Sequence, residues 1–322
     1  MKRYHYLCLL AVLLIFTLAA CQTQKLPQTN AGQEYAIAYN VLLDEEGDNY
    51  ELFAMNLDGS NKKNISNLKG VEWTYISVDD KVLFISDKDT CHRCYFLYEM
   101  DYQGKQVKKI ADIKLADSWM SSRKNGTELI VKPHPKLDSS FYIINRDGLI
   151  LQKVHTRLPA ASDPLFVNEG RQIVFRGGRT KSKLIDGFNE ELYLMNADGS
   201  SRKQLTHYPP NDTTASKFAY HAGPPKLHPS GKFVTYQSMQ NGKYSLYAVS
   251  LDGKKQWKLT NNAEEEGWHD WSPDGKWLTI ELFDKDQTQF HIGLMNWETQ
   301  TMQILTDTSY QYQQCPNFVR KR

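Results

Sequence analysis

The stretch Glu191-Leu-Tyr-Leu-Met-Asn-Ala-Asp-Gly-Ser200 recurs almost intact as Glu51-Leu-Phe-Ala-Met-Asn-Leu-Asp-Gly-Ser60. Weaker copies lie at residues 96–105, 140–149, 245–254 and 291–300. The six starts are 48 residues apart on average, inside the roughly 40–50-residue period of propeller blades. In each copy a run such as Leu192-Tyr193-Leu194-Met195 is apolar on both faces, as a strand needs when sheets pack on either side of it.

Asp-Gly follows at 58–59, 147–148, 198–199 and 252–253, suited to the positive φ of a tight hairpin turn. Gln103-Gly104 keeps only the glycine, and Glu298-Thr299 keeps neither. A short second strand then ends in Ile65-Ser66, Leu205-Thr206, Leu259-Thr260 or Leu305-Thr306.

A further hairpin precedes each pair. Its best copy is Asp270-Trp-Ser-Pro-Asp-Gly-Lys-Trp-Leu-Thr-Ile280; Leu227-His-Pro-Ser-Gly-Lys232, Phe166-Val-Asn-Glu-Gly-Arg171 and Ile76-Ser-Val-Asp-Asp-Lys81 are its relatives. Four strands per repeat and six repeats predict an all-β chain, a six-bladed β-propeller of four-stranded blades over residues 35–322. The first repeat begins at its second strand, near Tyr35. The terminal Cys315-Pro-Asn-Phe-Val319 reads as an inner strand. The C-terminal strand is therefore expected to complete blade one and close the ring, leaving no open sheet edge.

Lys plus Arg number 39 and Asp plus Glu 37, a net charge of +2 in 322 residues. That is too weak to argue for nucleic acid. Lys2 and Arg3 supply the whole excess. They precede an apolar run from Leu7 to Ala20, interrupted by Thr17. As a helix the run would span about 21 Å, short of the roughly 30 Å hydrocarbon core, so residues 1–20 read as a secretory signal. The run ends in Leu18-Ala19-Ala20-Cys21, which resembles a bacterial lipobox. The resemblance implies cleavage before Cys21 and a lipid (diacyl, palmitate-bearing) anchor on that residue. Gln22 after the cysteine favours, by similarity with enteric lipoproteins, the outer membrane facing the periplasm. Residues 21–34 are polar and read as a flexible tether.

Cys91, Cys94 and Cys315 remain. In an oxidising compartment Cys91-His92-Arg93-Cys94 reads as a local disulfide before a metal clip, since no second CxxC exists. Blade register brings Cys315 to the same rim, where it could instead pair with either.

At Trp271-Ser-Pro-Asp-Gly-Lys276 and Leu192-Tyr-Leu-Met-Asn-Ala-Asp-Gly-Ser200 the chain resembles the TolB-type propeller, over most of residues 35–319. The resemblance implies the fold and the envelope compartment. TolB carries an α/β domain ahead of its propeller, with no counterpart expected here, so the partners of the Tol system are not carried over. The motif residues build turns and blade cores and assign no activity.

No G-x-S-x-G, H-E-x-x-H or Gly-rich phosphate loop occurs, so no catalytic residue, cofactor or metal is assigned from motifs. Any ligand is expected on the rim formed by the blade-to-blade connections. The rim candidates are Arg176, Arg179, Lys181, His221, Glu266, Trp268, His269 and Asp270. His221, His269 and Asp270, with one of residues 264–266, are the set that could converge on a metal or do acid–base work. Against that stands a plainer expectation, in which His269 and Asp270 hydrogen-bond an inner strand and the glutamates are a solvated loop. Trp73, Trp119 and Trp268 fall near inner-strand starts, while Trp271 and Trp277 fit blade cores. The leading expectation is a lipid-anchored, non-enzymatic scaffold for an envelope protein or peptide. The alternatives are a glycan-binding or metal-dependent glycan-cleaving propeller, and an accessory propeller for a separate peptidase.

Overall fold

A computed structural model describes residues 34–321 apart from 69, 179–188 and 216–218. The signal, most of the tether, Cys21, Arg179 and Lys181 lie outside the described residues. Six four-stranded sheets form the blades of a β-propeller, as the repeat predicts. Blade one is the composite one: Gln313–Arg320 pairs antiparallel with Tyr35–Asp44, placing Val319 opposite Ala36 and Phe318 opposite Ile37. The chain's last strand therefore closes the ring beside its first.

The apolar runs become middle strands. Trp277–Phe283 is buried at every position, and Tyr35–Asp44 at its first seven. Both faces of such a strand meet a neighbouring blade, so the core lies in the seams. Ile37 and Phe53 of blade one pack with Trp277, Ile292 and Leu294 of blade six. Ala38 and Leu52 pack on the other side with Val82 and Phe84 of blade two.

The recurring Leu-Thr or Ile-Ser pair has a specific task. Its hydroxyl accepts the N–H of the third strand: Ser66 Oγ from Leu52 at 2.8 Å, Thr206 Oγ1 from Leu192 at 2.8 Å, Thr306 Oγ1 from Ile292 at 2.9 Å. The loop after the outer strand is thereby tied back to the blade's own sheet.

The turn glycines do more than adopt positive φ. A Cβ on Gly104 (φ +84°) would lie 2.0 Å from the carbonyl oxygen of Ile65, which ends blade one. One on Gly59 would meet Leu305 of blade six at 2.7 Å, and one on Gly148 would meet Ile110 of blade two at 2.5 Å. Each glycine lets its hairpin rest directly on the backbone of the preceding blade. Blade six, whose turn between third and fourth strands has no Asp-Gly, uses the Asn296 side chain there, accepting from the N–H groups of Glu298 and Thr299 at 3.0 Å.

Candidate binding recess at the propeller axis

Inner strands run down the axis, and four of them carry a β-bulge that re-aims their side chains. Two bulge residues, Asp163 (φ +55°) and Cys315 (φ +54°), adopt a backbone conformation that L-residues rarely take. Neighbouring blades bond to them there. Asp163 accepts from Trp119 N at 2.9 Å and Ser118 Oγ at 3.1 Å, and Cys315 N donates to Glu281 at 3.0 Å.

This frame opens a recess of about 310 Å³ at the axis, built by blades two to six. Its aromatic wall is Trp73, Tyr75, Trp119, Tyr220 and Trp268. Trp268 meets Trp73 edge-on at 5.9 Å and Trp119 at 6.0 Å between centroids, and Tyr75 meets Trp119 at 5.0 Å. Such offset and edge contacts hold the rings in fixed orientations. The indole N–H groups of Trp73 and Trp268 are buried and have no hydrogen-bond partner among the described residues.

The polar groups of the recess are Asp117, Asp163 and Arg176. Arg176 Nε donates to Asp163 at 2.7 Å, its NH1 lies 3.8 Å from Glu190, and its guanidinium covers the Tyr220 ring at 4.9 Å. At the same axis Lys226 Nζ pairs with Asp270 at 3.0 Å, donates to Tyr75 O at 3.1 Å and Asn317 Oδ1 at 3.2 Å, and covers the Trp119 ring at 4.6 Å. Asp117 differs. It accepts from the Tyr75 hydroxyl, and among the described residues it forms no ion pair within 4.0 Å. Asp117 is exposed to solvent, and the protein atoms packed around the recess desolvate its carboxyl enough to raise its pKa.

The other rim candidates disperse. His269 is buried in the seam between blades five and six, with Nε2 2.7 Å from Thr235 Oγ1. Burial and the nearby Lys226 charge lower its pKa to about 3, so it is neutral at physiological pH. His221 stacks on Tyr208 with centroids 3.9 Å apart, and burial lowers its pKa. Glu266 is buried, accepting from Leu246 N at 3.2 Å and Thr260 Oγ1 at 2.5 Å; burial raises its pKa. His221, His269 and Asp270 therefore share no site. Among the described residues no group of three His, Cys, Asp or Glu side chains is placed to hold a metal. Successive side chains of a strand point to opposite faces. Trp268 and Asp270 accordingly face the axis while His269 and Trp271 face the seam, where Trp271 Nε1 donates to the same Thr235 hydroxyl at 3.1 Å.

Cys91 and Cys94 are joined in a disulfide with Cα atoms 5.2 Å apart, and Cys315 is free and buried. The disulfide loop bridges two blades: Arg93 forms a two-pronged pair with Asp48 of blade one at 2.7 and 2.8 Å. The sequence did not point to Asp117, Asp163 or Lys226. Each lies in or beside an inner strand, and runs of charge or histidines do not point to single residues in three different blades.

No family model matches the chain. An uncharacterized protein of Agrobacterium fabrum is 23% identical over 195 residues, covering 57% of this chain and 60% of that protein. TolB from Acinetobacter baumannii superposes with a TM-score of 0.67 at 13% identity, over 88% of this chain and 66% of that one. A structure described as TolB of Agrobacterium tumefaciens gives 0.59 at 14% identity, over 85% and 88% of the two chains. A chain of a nidogen/laminin complex gives 0.62 at 9% identity, over 88% and 98%. The chain thus spans less than two thirds of the curated relative and of the Acinetobacter TolB. At these identities the likeness is one of fold, and in fold the chain is a TolB-like six-bladed β-propeller.

Proposed function

We propose that the protein is a lipid-anchored scaffold of the bacterial cell envelope that binds a protein or peptide segment in its axial recess and catalyses no reaction. The recess carries this reading: aromatic faces from separate blades converge on a few polar groups, the composition that dominates binding energy at protein interfaces. The lipobox-like Leu18-Ala19-Ala20-Cys21 supports the anchor, and Gln22 supports the outer membrane facing the periplasm. TolB-like folds elsewhere fit an envelope setting, and the nidogen/laminin structure pairs a propeller of similar fold with another protein.

A photo-crosslinking amino acid at position 268, introduced in living cells, tests the binding role. A discrete protein adduct that disappears when the crosslinker is moved to the exposed Leu149 is the expected result. Adducts of equal pattern at both positions would remove the recess from the reading. Cys21→Ser tests the anchor separately, and should move the protein from the membrane to the soluble envelope fraction. A second reading, glycan binding without cleavage, draws on the same rings, since flat sugar faces also stack on indoles.

A further inference from the structure

Three aspartates among the described residues stand at the axis, and two already hold a cation. Asp163 holds Arg176, whose guanidinium lies over Tyr220; Asp270 holds Lys226, whose ammonium lies over Trp119. Each pair is the same device: a basic group between a carboxylate and an aromatic face, where charge and ring quadrupole both attract it. Asp117, the third, has the aromatic surroundings of Trp73, Tyr75, Trp119 and Trp268; among the described residues its hydrogen bond is from the Tyr75 hydroxyl, and the Arg93 guanidinium, paired with Asp48, acts on it only through space. Arg176 and Lys226 are matched by Asp163 and Asp270, so an ionised Asp117 has no directly paired cation of its own among the described residues. Trp73 is 7% exposed, and its indole N–H has no acceptor among the described residues.

We propose that the recess takes a basic side chain, a lysine or arginine of an extended polypeptide segment, with its charge on Asp117 and its stem against Trp119 and Trp268. The inference rests on the binding role proposed above and narrows it to one ligand chemistry. A neutral sugar would leave the Asp117 charge unmatched, and an anionic segment would be repelled by it.

The test pans a random dodecapeptide display library against the whole protein, then titrates the enriched peptides against wild type, Asp117→Asn and Trp268→Ala. Thermal unfolding confirms that both variants fold. Enrichment of peptides whose one required residue is Lys or Arg is expected. Its replacement by norleucine or citrulline should weaken binding by about tenfold or more, and Asp117→Asn should weaken it by a similar factor. Peptides that lose binding in Trp268→Ala yet contain no required basic residue, or that bind Asp117→Asn as tightly as wild type, overturn the cation assignment and leave peptide binding intact. Binding of neutral oligosaccharides that Trp268→Ala abolishes, with no peptide enriched, overturns both.

Discussion

Lys226 Nζ lies 3.0 Å from Asp270 Oδ1, and this pair ties the inner strand of blade five to that of blade six at the axis. The same ammonium donates to Tyr75 O of blade two and Asn317 of blade one and covers Trp119 ahead of blade three. One side chain thus touches five of the six blades, and Asp270 in turn accepts from Phe318 N at 2.9 Å. Lys226→Met should cost about 3 kcal/mol, because it leaves a largely buried carboxylate without its partner. The double variant Lys226→Met/Asp270→Asn should recover part of that loss. Chemical denaturation of both reads the coupling, and strictly additive losses would contradict it.

Glycines with the same φ should differ sharply in tolerance. Gly104→Ala drives a methyl into the Ile65 carbonyl, whereas Gly231 (φ +69°) has nothing within 4 Å of its Cβ position. Gly231→Ala should cost about 1 kcal/mol, the backbone term alone. Gly104→Ala should cost about 3 kcal/mol or more, with strain added between blades. Urea midpoints at matched slope distinguish the two; equal losses would mean that the glycines serve turn geometry only.

Ring closure should be fragile at its last strand. Phe318 is 6% exposed and meets Tyr35 edge-on at 6.4 Å, in the core shared by blades one and six. Phe318→Ala should cost about 3–5 kcal/mol. Removal of residues 313–322 strips blade one of its inner strand and should give a species with lost near-ultraviolet dichroism and a larger hydrodynamic radius.

Stability should depend on pH through buried groups of opposite sign. Burial raises the carboxyls of Glu281 and Glu72 to about 8 from an ordinary 4.5. Folded, they keep their protons while the unfolded chain releases them, so their contribution falls as pH rises from about 4.5 to about 8. His269, lowered from 6.5 to about 3, works the other way: the unfolded chain takes a proton that the fold refuses, so its contribution falls as pH drops below about 6.5. A maximum between about pH 4.5 and 6.5 follows. Glu281→Gln keeps an acceptor for Cys315 N. Relative to wild type it should be more favourable at pH 8 than at pH 5 by roughly 3 kcal/mol. A difference independent of pH would show that Glu281 is ionised in the fold.

The sequence alone determined the propeller. Four-strand periodicity, Asp-Gly turns and Leu-Thr strand ends are local signals, each enforced by the backbone within one hairpin, and repetition made them legible. The closing strand was legible too, because residues 315–319 carry an inner-strand pattern with no other blade to join. The ligand recess was decided by tertiary structure. Trp73, Asp117, Asp163, Tyr220 and Trp268 are dozens of residues apart and meet only when the ring closes. Inward or outward pointing in the inner strands is set by single-residue bulges such as the one between Glu266 and His269. A bulge reverses the alternation, and no composition or spacing encodes its position. Alternation alone sends neighbouring Trp268 and His269, equal candidates in the sequence, to opposite faces; the bulge decides which of them lines the recess and which is sealed in a seam.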